Sequence, residues 1–78
     1  NRGEAALVEV RLPEGSPCPG KAIRDLNFPP DTVVVSVIRG GRLIIPRGDT
    51  ILQAEDEILA VSTVAAEKSL KDRLLGPA

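Results

Sequence analysis

The feature that most constrains this chain is a run of β-branched residues that ends at two glycines. Residues 32–39 read Thr-Val-Val-Val-Ser-Val-Ile-Arg, and side chains branched at Cβ favour a pleated strand. The run predicts a central strand that is buried on both faces. Gly40-Gly41 supplies the positive φ angles that a two-residue hairpin turn demands. Residues 42–46 are then expected to return beside this strand.

Strand alternation also predicts which side chains of this run share a face, because successive side chains point to opposite sides. Val35 and Val37 are expected on one face, and Val34, Ser36 and Ile38 on the other. Since both faces are predicted to be buried, Ile38 is expected to be a core residue.

The remaining elements follow from hydrophobic spacing and from prolines. Alternation around Val8 and Val10 predicts a half-buried strand that ends at Pro13, because proline cannot donate to a ladder. Apolar residues at four-residue spacing predict a terminal helix, capped by Ser62 or Thr63. The elements predicted outside the hairpin are a strand over 4–12, a short helix over 21–26, a strand over 57–62 and a helix over 64–75.

The lengths of the connections predict the architecture. The first two strands are joined by a long connection, which permits a parallel crossover, whereas the later connections are tight and favour antiparallel neighbours. We predict an α+β fold with a mixed, mostly antiparallel four-stranded sheet, in the order strand-helix-strand-strand-strand-helix.

Composition excludes several classes of function. The 78 residues include no His, one Cys and one Phe, and the net charge is −1. An imidazole base and a zinc site of cysteines and histidines are therefore excluded, and the sequence argues against nucleic-acid binding. No apolar run approaches the roughly 20 residues of a membrane span. We expect a cytoplasmic module with no cofactor, no metal, no catalytic residue and no direct membrane insertion.

A set of turn motifs resembles one known family. Arg39-Gly40-Gly41 is followed by Ile-Pro-Arg-Gly-Asp-Thr at residues 45–50, and Asp56 then precedes the last predicted strand. Each motif alone is a generic turn. In this order and spacing they resemble the TrkA-C domain, also called the RCK C-terminal domain, over about residues 5–62.

The resemblance implies a regulatory role and no enzymatic activity. Such domains are cytoplasmic modules that usually follow a Rossmann-like subdomain, in subunits that gate potassium uptake systems and channels and in other ion transporters. They pair as homodimers, and in some members a cleft between the copies binds a small ligand, notably cyclic di-AMP. The implied organisation is one TrkA-C-like domain over 1–78, with a core of 5–62 and a terminal helix over 64–75. It would be a fragment of a larger protein that is attached to or associated with a membrane ion transporter.

Two departures from the family pattern bear on function. The family usually has Gly where this chain has Glu55, so a turn with positive φ is disfavoured there and a type I turn stays open. Members that bind cyclic di-AMP carry an Arg in the helix-to-strand link and an Asn early in the next strand, and residues 28–34 contain neither. Because a nucleotide with two phosphates needs charge-assisted donors, cyclic di-AMP is less favoured, while a small nucleotide effector stays open.

Four arginines are the candidate ligand-binding residues. Arg39, Arg42 and Arg47 flank two turns, and Arg24 lies on the short helix, whose start offers backbone N–H groups to an anion. A guanidinium can bind phosphate or carboxylate in a bidentate manner, although solvated charges beside a sheet edge show the same pattern. The three consecutive acids at 55–57 are interpreted as a solvated turn.

Two functions stay open at this point. The first is a ligand-sensing dimerisation domain that regulates a cation transport protein, with potassium as the expected ion. The alternative is a purely structural dimerisation module with no ligand of its own.

Overall fold

The computed structural model describes residues 4–76. Its elements are strand β1 (Ala5–Arg11), a first 3-10 turn (Ile23–Asp25), strand β2 (Val33–Arg39), strand β3 (Arg42–Ile44), strand β4 (Glu57–Thr63), a second 3-10 turn (Val64–Ala66) and helix α1 (Glu67–Leu75). The predicted α+β class and element order are confirmed. The short helix predicted over 21–26 is a 3-10 turn, and the helix predicted over 64–75 opens with the second 3-10 turn before α1 begins.

The four strands form one sheet in the order β1-β4-β2-β3. β1 and β2 run in the same direction, as a crossover between them requires, but β4 lies between them and is antiparallel to both. β3 pairs antiparallel with β2. The prediction of a mixed sheet is therefore wrong in one respect: every ladder among the described strands is antiparallel, because the last strand inserts between the first two.

The prediction that β2 is buried on both faces is also wrong. Val37 is fully buried, whereas Val33 and Val35 are exposed. β2 is central in the sheet, since it pairs with β3 on one side and β4 on the other. Its apolar composition instead reflects a sheet that is covered on one face and that presents apolar side chains on the other.

The core lies between the sheet and the layer formed by α1 and the long connection after β1. Leu70 and Leu74 of α1 are fully buried against Val8, Ala60 and other residues of the sheet's inner face. The cap predicted at Ser62 or Thr63 is Thr63, whose Oγ1 accepts the N–H of Ala66 at 3.2 Å at the start of the second 3-10 turn.

The long connection is held in place by backbone hydrogen bonds to the segment before β4. Ile23 N–H donates to Thr50 O at 3.0 Å, and Gly20 N–H donates to Leu52 O at 2.8 Å. The carbonyl of Lys21 in turn accepts the N–H of Leu52 at 3.0 Å. The N–H groups of Gly20 and Ile23 are therefore bonded within the chain, and they do not form the anion site that the sequence suggested.

Candidate functional site

The sheet face opposite α1 carries a patch of apolar side chains. Leu7, Val61 and Val33 form one row across β1, β4 and β2, because each pairs with the next. Leu7 is 66% exposed and Val33 is 61% exposed, so no element of residues 4–76 covers this row. The apolar patch, called the outer patch below, consists of Leu7, Val33, Ile38, Leu43, Leu59 and Val61.

Contiguous exposed apolar surface is uncommon on monomeric soluble proteins and marks sites of interaction. The outer patch is flanked by charge, since Arg11 Nη2 donates to Glu57 Oε2 at 2.6 Å across the β1–β4 ladder. An apolar centre with a polar rim is the usual anatomy of a protein–protein interface.

One end of the patch is set by the β2–β3 hairpin. Gly40 and Gly41 have φ angles of 57° and 78°, so both central residues of the turn need the conformation that glycine adopts without strain. The predicted hairpin is confirmed. It places Arg39 directly opposite Arg42 and places Leu43 opposite Ile38 on the outer patch.

Two like charges that face each other across a ladder repel, and a buried carboxylate relieves this repulsion. Arg39 Nε donates to Asp56 Oδ1 at 2.9 Å, and Arg39 Nη2 donates to Asp56 Oδ2 at 2.8 Å. Arg39 Nη2 also donates to the carbonyl of Ile51 at 3.0 Å. Asp56 is 1% exposed, and its Oδ2 accepts a further hydrogen bond from Gln53 N–H at 2.9 Å. The pair thus connects the end of β2 to the turn before β4.

The pKa values of this pair follow from its contacts. Burial alone would raise the pKa of the Asp56 carboxyl, but the hydrogen bonds from Arg39 and Gln53 N–H, together with the Arg39 charge, outweigh burial and hold that pKa below its ordinary value. The hydrogen bond to Asp56 likewise raises the pKa of the Arg39 guanidinium. Both groups stay charged at neutral pH, so the pair acts as a structural brace, and neither group takes up or releases a proton there.

Arg42 is in a different situation from Arg39. Its side chain is exposed, and within residues 4–76 no carboxylate oxygen lies within 4 Å of its guanidinium. It lines an open groove of about 490 Å³ together with Arg39, Gly40, Leu43 and Ile44. Successive side chains of β3 alternate, so Arg42 and Ile44 lie on the inner side of the sheet and Leu43 on the outer patch. The groove therefore runs along the free edge of β3, where the two faces meet.

The other two candidate arginines belong to a second corner of the molecule. Arg24 N–H donates to the carbonyl of Gly48 at 2.9 Å, and Arg47 N–H donates to Thr50 Oγ1 at 2.8 Å. Both side chains are exposed. The structure thus brings Arg39 and Arg42 together in one groove, which neither Arg24 nor Arg47 lines.

Asp56 is the residue that sequence reasoning misjudged. The acids at 55–57 were expected to form a solvated turn, yet Asp56 is buried and braces the hairpin. The turn itself places Glu55 at a φ of 69° and closes with Asp56 N–H donating to Gln53 O at 3.2 Å. This is the pattern of a type II turn, which favours Gly at that position, so the type I alternative is wrong.

Among residues 4–76, no three His, Cys, Asp or Glu side chains gather where they could hold a metal ion.

Within the described residues, no helix is both long and apolar enough to cross a lipid bilayer.

The chain is similar to known proteins over nearly its whole length. The family model for the TrkA-C domain matches residues 7–75. The chain is 43% identical over 73 residues to the Trk system potassium uptake protein TrkA of Mycobacterium tuberculosis, with 94% of this chain covered. It is 41% identical over 75 residues to a TrkA homolog of Archaeoglobus fulgidus, with 96% covered. The alignments span 33% of the first relative and 17% of the second, so the chain corresponds to a third or less of either protein.

Solved structures share the fold. A structure described as an RCK domain with cda superimposes with a TM-score of 0.77 and 26% identity, covering 88% of this chain and 97% of that one. The RCK_C domain dimer of S. agalactiae BusR in complex with c-di-AMP gives a TM-score of 0.74 at 24% identity, covering 88% of this chain and 95% of that one. With the family model matched from β1 to the end of α1, this chain belongs to the TrkA-C domain family.

Proposed function

We propose that this chain is a cytoplasmic regulatory domain of a potassium transport protein, in which two copies associate through the outer patch and hold a small effector between them. The relatives that cover most of this chain are named as Trk system potassium uptake proteins, which supports the transport system and the ion. A membrane ion transporter, attached or associated, would receive the signal.

The observation that carries the proposal is the uncovered outer patch. Leu7 and Val33 are each more than half exposed although they lie in strands whose other faces form the core. A chain of this length has a thin core, and association would remove this apolar surface from water. A two-fold axis through the patch would bring the same side chains of each copy together.

Arg42 is the strongest candidate for contact with an anionic effector. Its guanidinium has no carboxylate partner among residues 4–76, and it lines the groove at the edge of β3 together with Leu43 and Ile44. Arg39 would support the site by holding the hairpin, while Arg24 and Arg47 would contribute only if the effector reached the second corner. A guanidinium next to apolar surface suits a nucleotide, which presents phosphate and base together. Regulation further requires that the effector bind one arrangement of the pair more tightly than another.

Oligomeric state tests the association directly. We expect the 78-residue chain to sediment with the mass of two chains, and the double variant Leu7→Lys/Val33→Lys to sediment as one folded chain. Leu75→Lys is the matched control, because Leu75 is also exposed, at 41%, but lies on α1 away from the patch. Single wild-type chains in the micromolar range, or a double variant that still pairs, would refute association through this face.

Calorimetry with cyclic di-AMP, ATP, ADP and NADH tests the effector. A ligand present at 100 times its Kd should stabilise the fold by about 2.7 kcal/mol, and Arg42→Gln should weaken its binding about tenfold. If the chain pairs but none of these compounds gives heat or raises the melting temperature, the alternative of a purely structural dimerisation module is favoured. The absence of Arg and Asn from residues 28–34 is the observation on the side of that alternative.

A further inference from the structure

A second cleft lies in the layer that covers the inner face of the sheet, and the proposed function does not use it. It has a volume of about 240 Å³ and lies between the loop after β1, the first 3-10 turn and the last turn of α1. Its lining includes Cys18, Lys21, Asp25, Leu26, Phe28 and Arg73.

The walls of this cleft are tied to one another by hydrogen bonds to the end of α1. Ser16 Oγ donates to the carbonyl of Leu74 at 2.6 Å, and the Cys18 thiol donates to the carbonyl of Arg73 at 3.3 Å. The last carbonyls of a helix lack partners within the helix, so the loop supplies them. Arg73 Nη1 also donates to the carbonyl of Leu26 at 3.5 Å. Loop, turn and helix are therefore fixed relative to one another, and the cleft is preformed.

The chemistry of the lining is that of an anion site with an apolar floor. Lys21 and Arg73 contribute two positive charges and Asp25 one negative charge. In the described part of the chain, no carboxylate oxygen lies within 4 Å of either cation. Leu26 and Phe28 are half-buried and pack against the core, so they offer a fixed apolar surface beside the cations.

We propose that this cleft binds a small organic anion, with its carboxylate or phosphate group on Lys21 and Arg73 and its apolar part on Leu26 and Phe28. The volume is somewhat below that of pockets for drug-sized ligands, which limits the ligand to about the size of an aromatic phosphate. Ligand pockets are typically apolar with a few fixed polar groups that orient the ligand, and this lining matches that description. The cleft lies on the opposite side of the sheet from the outer patch, so the proposal is independent of association between copies.

The test is an NMR titration of the isotope-labelled 78-residue chain with phenyl phosphate, with inorganic phosphate and benzyl alcohol as partial probes. We expect phenyl phosphate to shift the amide signals of residues 17–28 and of Arg73, and each partial probe to bind more weakly. Lys21→Gln and Arg73→Gln should each weaken binding of phenyl phosphate about tenfold. Lys68→Gln is the matched control, because Lys68 lies on α1 outside the cleft and pairs with Asp72.

Several results would overturn the proposal. They are no shifts at these residues, equal binding by the Lys68→Gln and Lys21→Gln variants, or shifts confined to the outer patch. Lys21 makes no side-chain hydrogen bond within residues 4–76, so Lys21→Gln leaves the fold intact and keeps the test decisive if Arg73→Gln disturbs the cleft. Failure here would leave the oligomeric state and the Arg42 groove untouched, so the two proposals fail separately.

Discussion

Val34 and Val37 lie on the same face of β2, although they are three positions apart. Val34 pairs with Ala60 and Val37 pairs with Ile58, and these two partners are buried neighbours on the inner face of β4. The ladder is irregular between Val34 and Ser36, so Val35 is the extra residue of a β-bulge. The bulge directs Val34 and Val37 to the core and Ile38 to the outer patch.

The bulge predicts which residue of β2 carries the core. Val37→Ala should lower the free energy of unfolding by about 2 kcal/mol, because it removes buried methyl groups and leaves a cavity. Ile38→Ala should cost about 1 kcal/mol, although it removes more atoms, since Ile38 is half-buried. Urea unfolding at a concentration where the chain is monomeric measures both. A larger loss for Ile38→Ala would mean that strand alternation continues unbroken through Val35.

The contrast between the hairpin and the bulge shows what the sequence could predict. Gly40-Gly41 predicts its turn, because few residues other than glycine adopt the required φ angles. The spacing of Leu70 and Leu74 likewise predicts the buried face of α1. Val35 carries no such signal, because valine occurs both in regular strands and in bulges. The bulge depends on the pairing with β4, which lies far along the chain.

The residues of the candidate site could be predicted from the sequence only in part, because contacts with distant segments of the chain decide their roles. The sequence selects all four arginines equally, because each lies beside a turn or on the short predicted helix. What separates Arg39 from Arg42 is the Asp56 carboxylate, 17 residues from Arg39 along the chain. A contact of that separation is created by folding, and nothing in the local sequence of residues 55–57 distinguishes a buried aspartate from a solvated one.

Glu55 is a position where the backbone is strained. Its φ of 69° lies in the left-handed region, which costs a residue with a Cβ roughly 1–2 kcal/mol. Glu55→Gly should therefore raise the free energy of unfolding by up to about 1 kcal/mol, after the greater chain entropy of glycine is subtracted. Asp31→Gly is the control, since Asp31 has a φ of 63° but aspartate tolerates this region better. Thermal melts should show a larger gain for Glu55→Gly, and a loss there would contradict the turn geometry.

Two threonines should respond to the same substitution with opposite sign. Thr32 Oγ1 is buried and has no hydrogen-bond partner within residues 4–76, so Thr32→Val should be neutral or stabilising by up to about 1 kcal/mol. Thr63 Oγ1 accepts the N–H of Ala66 at the start of the second 3-10 turn, so Thr63→Val should cost about 1 kcal/mol. Urea midpoints of the two variants compare them directly, and equal destabilisation would show that Thr32 has a partner after all.

The brace between Arg39 and Asp56 predicts an acid-sensitive step in stability. The pKa of the Asp56 carboxyl is lower in the folded chain than its ordinary value, which is about 3.9 in an unfolded chain. Above about pH 5 the carboxylate is charged in both states, so its contribution is complete. As the pH falls below that value, the unfolded chain takes up the proton first, and the contribution is lost as the pH passes the folded pKa.

Asp56→Asn removes this linkage while it keeps the size of the side chain. At pH 7 the variant should be less stable than wild type by about 2–3 kcal/mol, because the partly buried Arg39 loses its carboxylate. That difference should shrink as urea midpoints are followed down to about pH 3. Arg39→Gln gives the second comparison. Without the guanidinium, burial raises the pKa of the Asp56 carboxyl and only the hydrogen bond from Gln53 N–H lowers it. This variant should therefore lose less stability than wild type as the pH falls to about 3. A gap between wild type and Asp56→Asn that stays constant with pH would mean that the Asp56 carboxyl has the same pKa in the folded and unfolded chains, and that the hairpin is held by other contacts.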